Sequence, residues 1–248
     1  MPVPEGHCQN LSSKRILILI QMEDQFAYKD TILKVKCDID ISDFIKGFII
    51  KKRQELESYI GRNPDFQTSL EPVGVEKGAP EIINIMADAA EKAGVGPMAA
   101  VAGAVSELLV REAVEMGAEW IVVENGGDIC IYGNRDFNLL VFAGKSPLSG
   151  KSGFSINPGE KSYGICTSSG TVGHSISLGD ADAVSVFARS TPVADAFATA
   201  IANRVGEIRD GLEFAKRFLG KEIDGVQIIK GGMVGRIGKL PDFILTDR

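Results

Sequence analysis

Histidine is nearly missing from this sequence: His7 and His174 are the only two in 248 residues. The four cysteines, Cys8, Cys37, Cys130 and Cys166, lie far apart with no C-x-x-C pair. Together these shortages argue against a structural zinc site, which needs clustered Cys and His ligands. Long apolar runs are absent too. A stretch such as "ILILI" is far too short to cross a bilayer, which takes about 20 residues. "MPVPEGHCQN" lacks the basic and apolar regions of a secretory leader, so the expected location is cytoplasmic, with free thiols and no membrane partner. Basic charge is also short. The formal net charge is −6, and "IKKRQE" is the single Lys/Arg cluster, read as the solvated face of a helix. That balance argues against a nucleic-acid partner, although an acidic average leaves room for a local anion pocket.

What remains is an ordinary globular composition, 44% apolar and 24% charged. "RILILIQ" and "TILKVKCDI" read as two strands around a polar turn. The apolar spacing from Ser42 to Ile60 predicts a helix, stopped by Gly61 and Pro64 and followed by a loop. Pro80 and Pro97 start two more helices, which Gly94 and Gly117 end. "EWIVVE", "DICIYG", "FNLLVFAG", "KSYGICT" and "ADAVSVFAR" read as strands joined by glycine turns. Helices over Pro192–Gly206 and Gly211–Gly220 follow, then a closing hairpin and strand. Strict βαβ alternation is missing, so the predicted class is α+β, with residues 1–248 forming a single domain.

The chain has 28 glycines, against a usual level of about 7%, and many lie at strand ends. In "ENGGD" two readings stay open. One is a tight hairpin turn. The other is a face in which Asn125, Gly126, Gly127 and Asp128 hold ligand hydroxyls or a hydrated cation. "GICTSSGTVGHSIS" joins bare backbone at Gly170 and Gly173 to the hydroxyls of Ser168, Ser169, Thr171 and Ser175. Such a loop can cradle an anion through successive N–H groups. His174 within it would pair with a phosphate or act as a general acid/base; the alternative is a structural histidine. In "PVADAFATA", Asp195 and Thr199 are four apart and share a helix face. They offer hard oxygen ligands suited to Mg²⁺. The alternatives are an acid complementing the helix dipole in the first turn and a buried hydroxyl. Gly103, inside a helix of small residues, points to close packing.

Four ordered stretches, "GVGPMAAVAGAVSE", "ENGGDI", "GICTSSGTVGHSIS" and "ADAFATAIAN", resemble the uncharacterised protein family numbered 0280, a relative of the ApbE flavin transferases. The likeness covers nearly the whole chain. It implies an ApbE-like fold of mostly antiparallel sheets packed with helices. ApbE proteins use FAD and Mg²⁺ to move an FMN group onto a threonine or serine hydroxyl of a target protein. In that superfamily a D-A-x-x-T-A helix supplies metal ligands, a role that falls here on Asp195 and Thr199. A G-G-D turn and an S-G loop followed by a histidine lie around the flavin. These match Gly126, Gly127 and Asp128, then Ser169, Gly170 and His174.

The sequence also departs from that pattern. The entry "GPMAAVAGAV" has no lysine and no tyrosine, and "SISLGDADAV" replaces a D-P-x-T-G loop. Weak or no FAD binding is the expectation. The implied function is a flavin-related transferase, or a nucleotide pyrophosphatase, acting on a phosphate-bearing ligand with FAD or FMN and Mg²⁺ as cofactors. The alternative is a non-catalytic binding or carrier protein, with a variant serving sulfide assimilation in which Cys166 lies beside the loop, and homo-oligomer formation open.

Overall fold

The computed structural model describes residues 16–18, 24–168 and 179–245. Twelve strands in this range form two antiparallel sheets. The larger has eight, in the order β11-β10-β9-β8-β5-β4-β3-β2. Its strands are β2 (Asp24–Tyr28), β3 (Thr31–Cys37), β4 (Ile121–Asn125), β5 (Asp128–Gly133), β8 (Gly159–Ser168), β9 (Ala183–Ala188), β10 (Gly225–Lys230) and β11 (Met233–Gly238). The smaller has four, in the order β1-β6-β7-β12, from Ile16–Ile18, Phe137–Val141, Ser152–Ile156 and Asp242–Leu245. The α+β reading holds, with mostly antiparallel sheets packed against helices.

Side-chain alternation along the strands sorts the core into two layers. Val123, Cys130, Cys166, Val184, Val186, Val226 and Ile228 face the helices. Val122, Ile129, Ile131, Ile165, Phe187 and Ile229 face the small sheet, where they meet Phe137, Leu139, Val141, Phe154 and Ile156. The protein is therefore helix on sheet on sheet. β9 is buried at every position because it is covered on both sides, which explains its continuous apolar run.

The helices are α1 (Ser42–Arg62), α2 (Asp65–Thr68), α3 (Glu81–Ala93), α4 (Val101–Glu115), α5 (Thr191–Ala202) and α6 (Ile208–Lys216). Pro97–Ala100 forms a 3₁₀ turn ahead of α4. Gly94 ends α3 in the left-handed region, with φ 68°, where glycine carries no Cβ penalty. α6 begins with a capping box between Glu207 and Asp210, three residues before the expected start.

Several expectations need correction. The polar stretch after the first strand contains β2, an edge strand paired with β3. β1 instead joins the other sheet, beside β6. β7, "SGFSI", carried no strand signal because serine and glycine dominate it. Its Gly153 is forced by packing: a Cβ there would sit 1.9 Å from the Leu139 carbonyl oxygen. The loop after α1 holds the short α2, whose Phe66 packs edge-on to Tyr59 at 5.2 Å. "IKKRQE" is not a wholly solvated face. Lys52 is buried in the α1 stripe with Ile45, Phe48, Ile49, Leu56 and Tyr59, and its Nζ reaches Glu55 at 3.2 Å. Half-buried Arg53 pairs with Glu57 at 3.3 Å. A long lysine stem is apolar enough to lie along such a stripe.

Candidate functional site

The β4–β5 hairpin brings the first group of residues into place. Asn125 pairs with Asp128 across a two-residue turn, in which Gly126 has φ 65° and Gly127 φ 107°. Two consecutive positive φ values need the Gly-Gly pair. A Cβ on Gly126 would meet nothing within 4 Å, so this backbone faces open space. "ENGGD" is thus a tight hairpin, and its outer face is also accessible to a ligand. Asn125 Nδ2 donates to the Ala102 carbonyl at 3.3 Å, tying the turn to the start of α4. Asp128 is buried and lies opposite Cys166 of β8.

The helices contribute the second group. Asp195 of α5 is 9% exposed, and its Oδ2 accepts the Gly103 N–H of α4 at 2.9 Å. It stands in the second turn rather than the first, so its partner is the neighbouring helix and not its own N-terminus. Thr199 follows one turn later and is partly buried. Gly103 is glycine because α4 and α5 touch: a Cβ would lie 2.6 Å from the Thr191 carbonyl oxygen and 2.9 Å from Asp195 Cβ. Close packing is therefore the reason for the small residues of α4.

Glu107, which the sequence reading overlooked, fixes the start of α5. Its Oε2 accepts the Thr191 N–H at 2.6 Å, serving an orphan donor of the first helical turn from across the interface. Burial pushes the Glu107 carboxyl up from its ordinary range, against the Thr191 N–H and the Arg111 charge, which pull it down. The signal was present: a carboxylate inside "AVSELLV" interrupts an apolar run. Between these elements sits Cys166, fully buried, its Sγ donating to the Thr191 carbonyl at 3.4 Å. Burial, reinforced by the Asp128 and Asp195 carboxylates, raises its thiol well above the ordinary range. Cys166 is thus a neutral core thiol, not a nucleophile.

Ser168 closes β8. Alternation from Cys166 turns it to the helix side, and it is 4% exposed. Its Oγ is buried with no hydrogen-bond partner among the described residues, a costly state for a hydroxyl. Ser169, Gly170, Thr171, Gly173, His174 and Ser175 lie outside the described residues. The structure thus brings Asn125, Gly126, Gly127, Asp128, Ser168 and Asp195 to one end of the helix-facing side, with Thr199 a turn further along α5.

Oxygen donors dominate this cluster: two carboxylates beside Cys166, a threonine hydroxyl and an orphan serine hydroxyl. Such a set suits a hard cation with several waters better than a soft metal. Among the described residues no three His, Cys, Asp or Glu side chains converge on one metal position. For a flavin nucleotide, the open backbone at Gly126 and the unpartnered Ser168 Oγ fit a phosphate or hydroxyl group.

The family described as "AbpE bacteria" matches residues 19–217. A UPF0280 protein of Methanococcus maripaludis strain C7 is 45% identical over 234 residues, covering 91% of this chain and 94% of the relative. A UPF0280 protein of Methanocaldococcus jannaschii is 46% identical over 230 residues, covering 89% and 92%. In structure, the chain resembles the apo form of the flavinyl transferase ApbE of Pseudomonas stutzeri. The TM-score is 0.53 at 15% identity, over 90% of this chain and 95% of that one. The flavin transferase ApbE of Vibrio cholerae gives 0.51 at 15% identity, over 90% and 97%. No single helix among the described residues is long and apolar enough to cross a membrane. The chain belongs to the UPF0280 family, and its fold is that of the ApbE flavin transferases.

Proposed function

We propose that the protein binds a phosphate-bearing flavin nucleotide at the β4–β5 turn and the end of β8, and acts as a flavin-related transferase. The observation that carries this reading is the Ser168 Oγ, buried without a partner among the described residues beside a turn whose backbone is open at Gly126. A ligand oxygen there would satisfy the hydroxyl. Asp195 and Thr199, with Asp128 near, would hold Mg²⁺, which supplies charge neutralisation at a departing phosphate. The chain's own part is to exclude water with the α4–α5 contact and to hold Asp195 on the Gly103 N–H. His174 would move a proton or pair with the phosphate, a role resting on its place in the loop sequence.

One observation favours a second reading, a carrier without catalysis. The entry to α4 carries neither lysine nor tyrosine; it is spent on packing, and one Asp195 oxygen is already engaged by Gly103. The sulfur variant draws no support from Cys166, which is neutral and enclosed.

Mass spectrometry of the purified protein for a retained flavin, followed by FAD and Mg²⁺ titration, tests the first reading. Mg²⁺ should raise the melting temperature by binding the folded state, and Asp195→Asn should abolish that increment. FAD bound without transfer to any hydroxyl would select the carrier. A Mg²⁺ increment that survives in Asp195→Asn would sink the metal assignment.

A further inference from the structure

The layer between the two sheets ends in an unusual corner. β11 is the last strand of the large sheet and β12 the last of the small one, so among the described residues the sandwich is open between them. Gln227 shares its face of β10 with Ile229, an inter-sheet residue, and pairs across the strands with Arg236. Phe243 pairs with Phe154, which also faces inward. Val234 and Arg236 from β11, and Phe243 and Leu245 from β12, therefore all line the open edge.

Arg236 is held there in one pose. Its Nε donates to Gln227 Oε1 at 2.7 Å, and Gln227 itself is 1% exposed. Its guanidinium stacks over the Phe243 ring, 3.8 Å from the centroid. No carboxylate among the described residues pairs with it, while every other feature of an arginine–carboxylate fork is in place. The Gln227 Nε2 is a second donor, buried without a partner among the described residues. Around this charge the surface is apolar: Val234 is 41%, Phe243 41% and Leu245 74% exposed. Partial burial pulls the guanidinium below its ordinary range, while the residue as a whole is exposed and stays protonated.

We propose that this open edge binds a small carboxylic acid with an apolar stem, its carboxylate on the free Nη groups of Arg236 and its stem against Val234, Phe243 and Leu245. A guanidinium matches a carboxylate in a planar, two-bond fork. Here Gln227 and Phe243 have already restricted its rotation, so less entropy is lost on binding. The apolar rim discriminates against small hydrated anions, and the cation against amines. This corner is on the opposite face of the sheet from the flavin reading, so the two succeed or fail separately.

Octanoate, 1-octanol and octylamine serve as probes, followed on the full chain by amide NMR shifts and titration. Octanoate should move the resonances of residues 233–245, and Arg236→Gln should weaken it about tenfold or more. Arg236→Lys, which keeps charge but loses the fork, should restore only part of the affinity. Should Arg236→Gln also lower the urea midpoint, Val234→Ser provides the second arm, since it leaves the Arg236–Gln227 bond in place and should still weaken octanoate. Equal affinity for octanol and octanoate, or unchanged octanoate affinity in both variants, overturns the proposal. So does self-association that hides these resonances at all concentrations with no octanoate effect.

Discussion

The two faces of the eight-stranded sheet are made by the same strands and have opposite characters. The inter-sheet face is a packed apolar layer in which Phe154 meets Phe187 edge-on at 4.8 Å. Its buried polar members include a row through Thr167, Ser185 and Gln227, with a hydroxyl pair at 2.9 Å, and Glu124, which is paired with Lys34 of the neighbouring strand. The helix face is apolar along most of its length. At one end, however, it gathers Asp128, Glu107, Asp195, Ser168 and Cys166. Helix termini make the difference. They bring N–H groups that end without intrahelical partners, and these hold buried carboxylates, whereas the buried Glu124 of the other face is held by a lysine. Polar chemistry therefore collects where α4 and α5 meet the strand ends.

That contrast can be broken most forcefully on the apolar side. Phe154→Ala removes a ring from between two sheets that cannot easily collapse, and should cost about 4 kcal/mol, read by urea unfolding. A loss under about 1 kcal/mol would mean the inter-sheet layer is looser than its burial suggests.

On the helix side the effect should be smaller and should depend on pH. The folded-state pKa of Glu107 is raised above the ordinary carboxyl value of 4.5, first by burial. Ionised Glu107 therefore destabilises the fold above its folded pKa, and that cost is relieved as pH falls through the folded value toward 4.5. Glu107→Gln keeps an oxygen for the Thr191 N–H and removes the charge. It should stabilise the protein at pH 8, with the gain shrinking as pH falls into the ordinary carboxylate range. A pH-independent difference between the two proteins would contradict the assigned cause.

The smallest effect belongs to Ser168. Its hydroxyl has no partner to lose among the described residues, so Ser168→Ala should change stability by less than about 0.5 kcal/mol. It should nonetheless weaken a flavin nucleotide, if one binds at the turn. A loss of more than about 1 kcal/mol in the ligand-free protein would show that Ser168 has a structural bond after all.

Much of this was legible before folding. "DICIYG" is β5 residue for residue, from Asp128 to Gly133, because apolar residues bounded by glycines leave little else. Gly94 and the hairpin at Gly126–Gly127 followed from backbone sterics alone. β2 and β7 were not legible, since one is a polar edge and the other is rich in serine and glycine. Of the site, Asp195 and the G-G-D turn could be named. Glu107 and the lack of a partner for Ser168 could not, because both depend on what lies across an interface.

The sequence by itself determined the class, the core composition and the tight turns. These depend on local period, apolar content and permitted φ, which neighbouring residues set among themselves. Tertiary structure alone decided that β1 leaves β2 and β3 for the second sheet. It also decided that Asp195 faces Gly103 rather than its own helix end, and that Cys166 is enclosed between carboxylates. In each case the partner lies tens of residues away along the chain, or on another element, and only packing brings the two together.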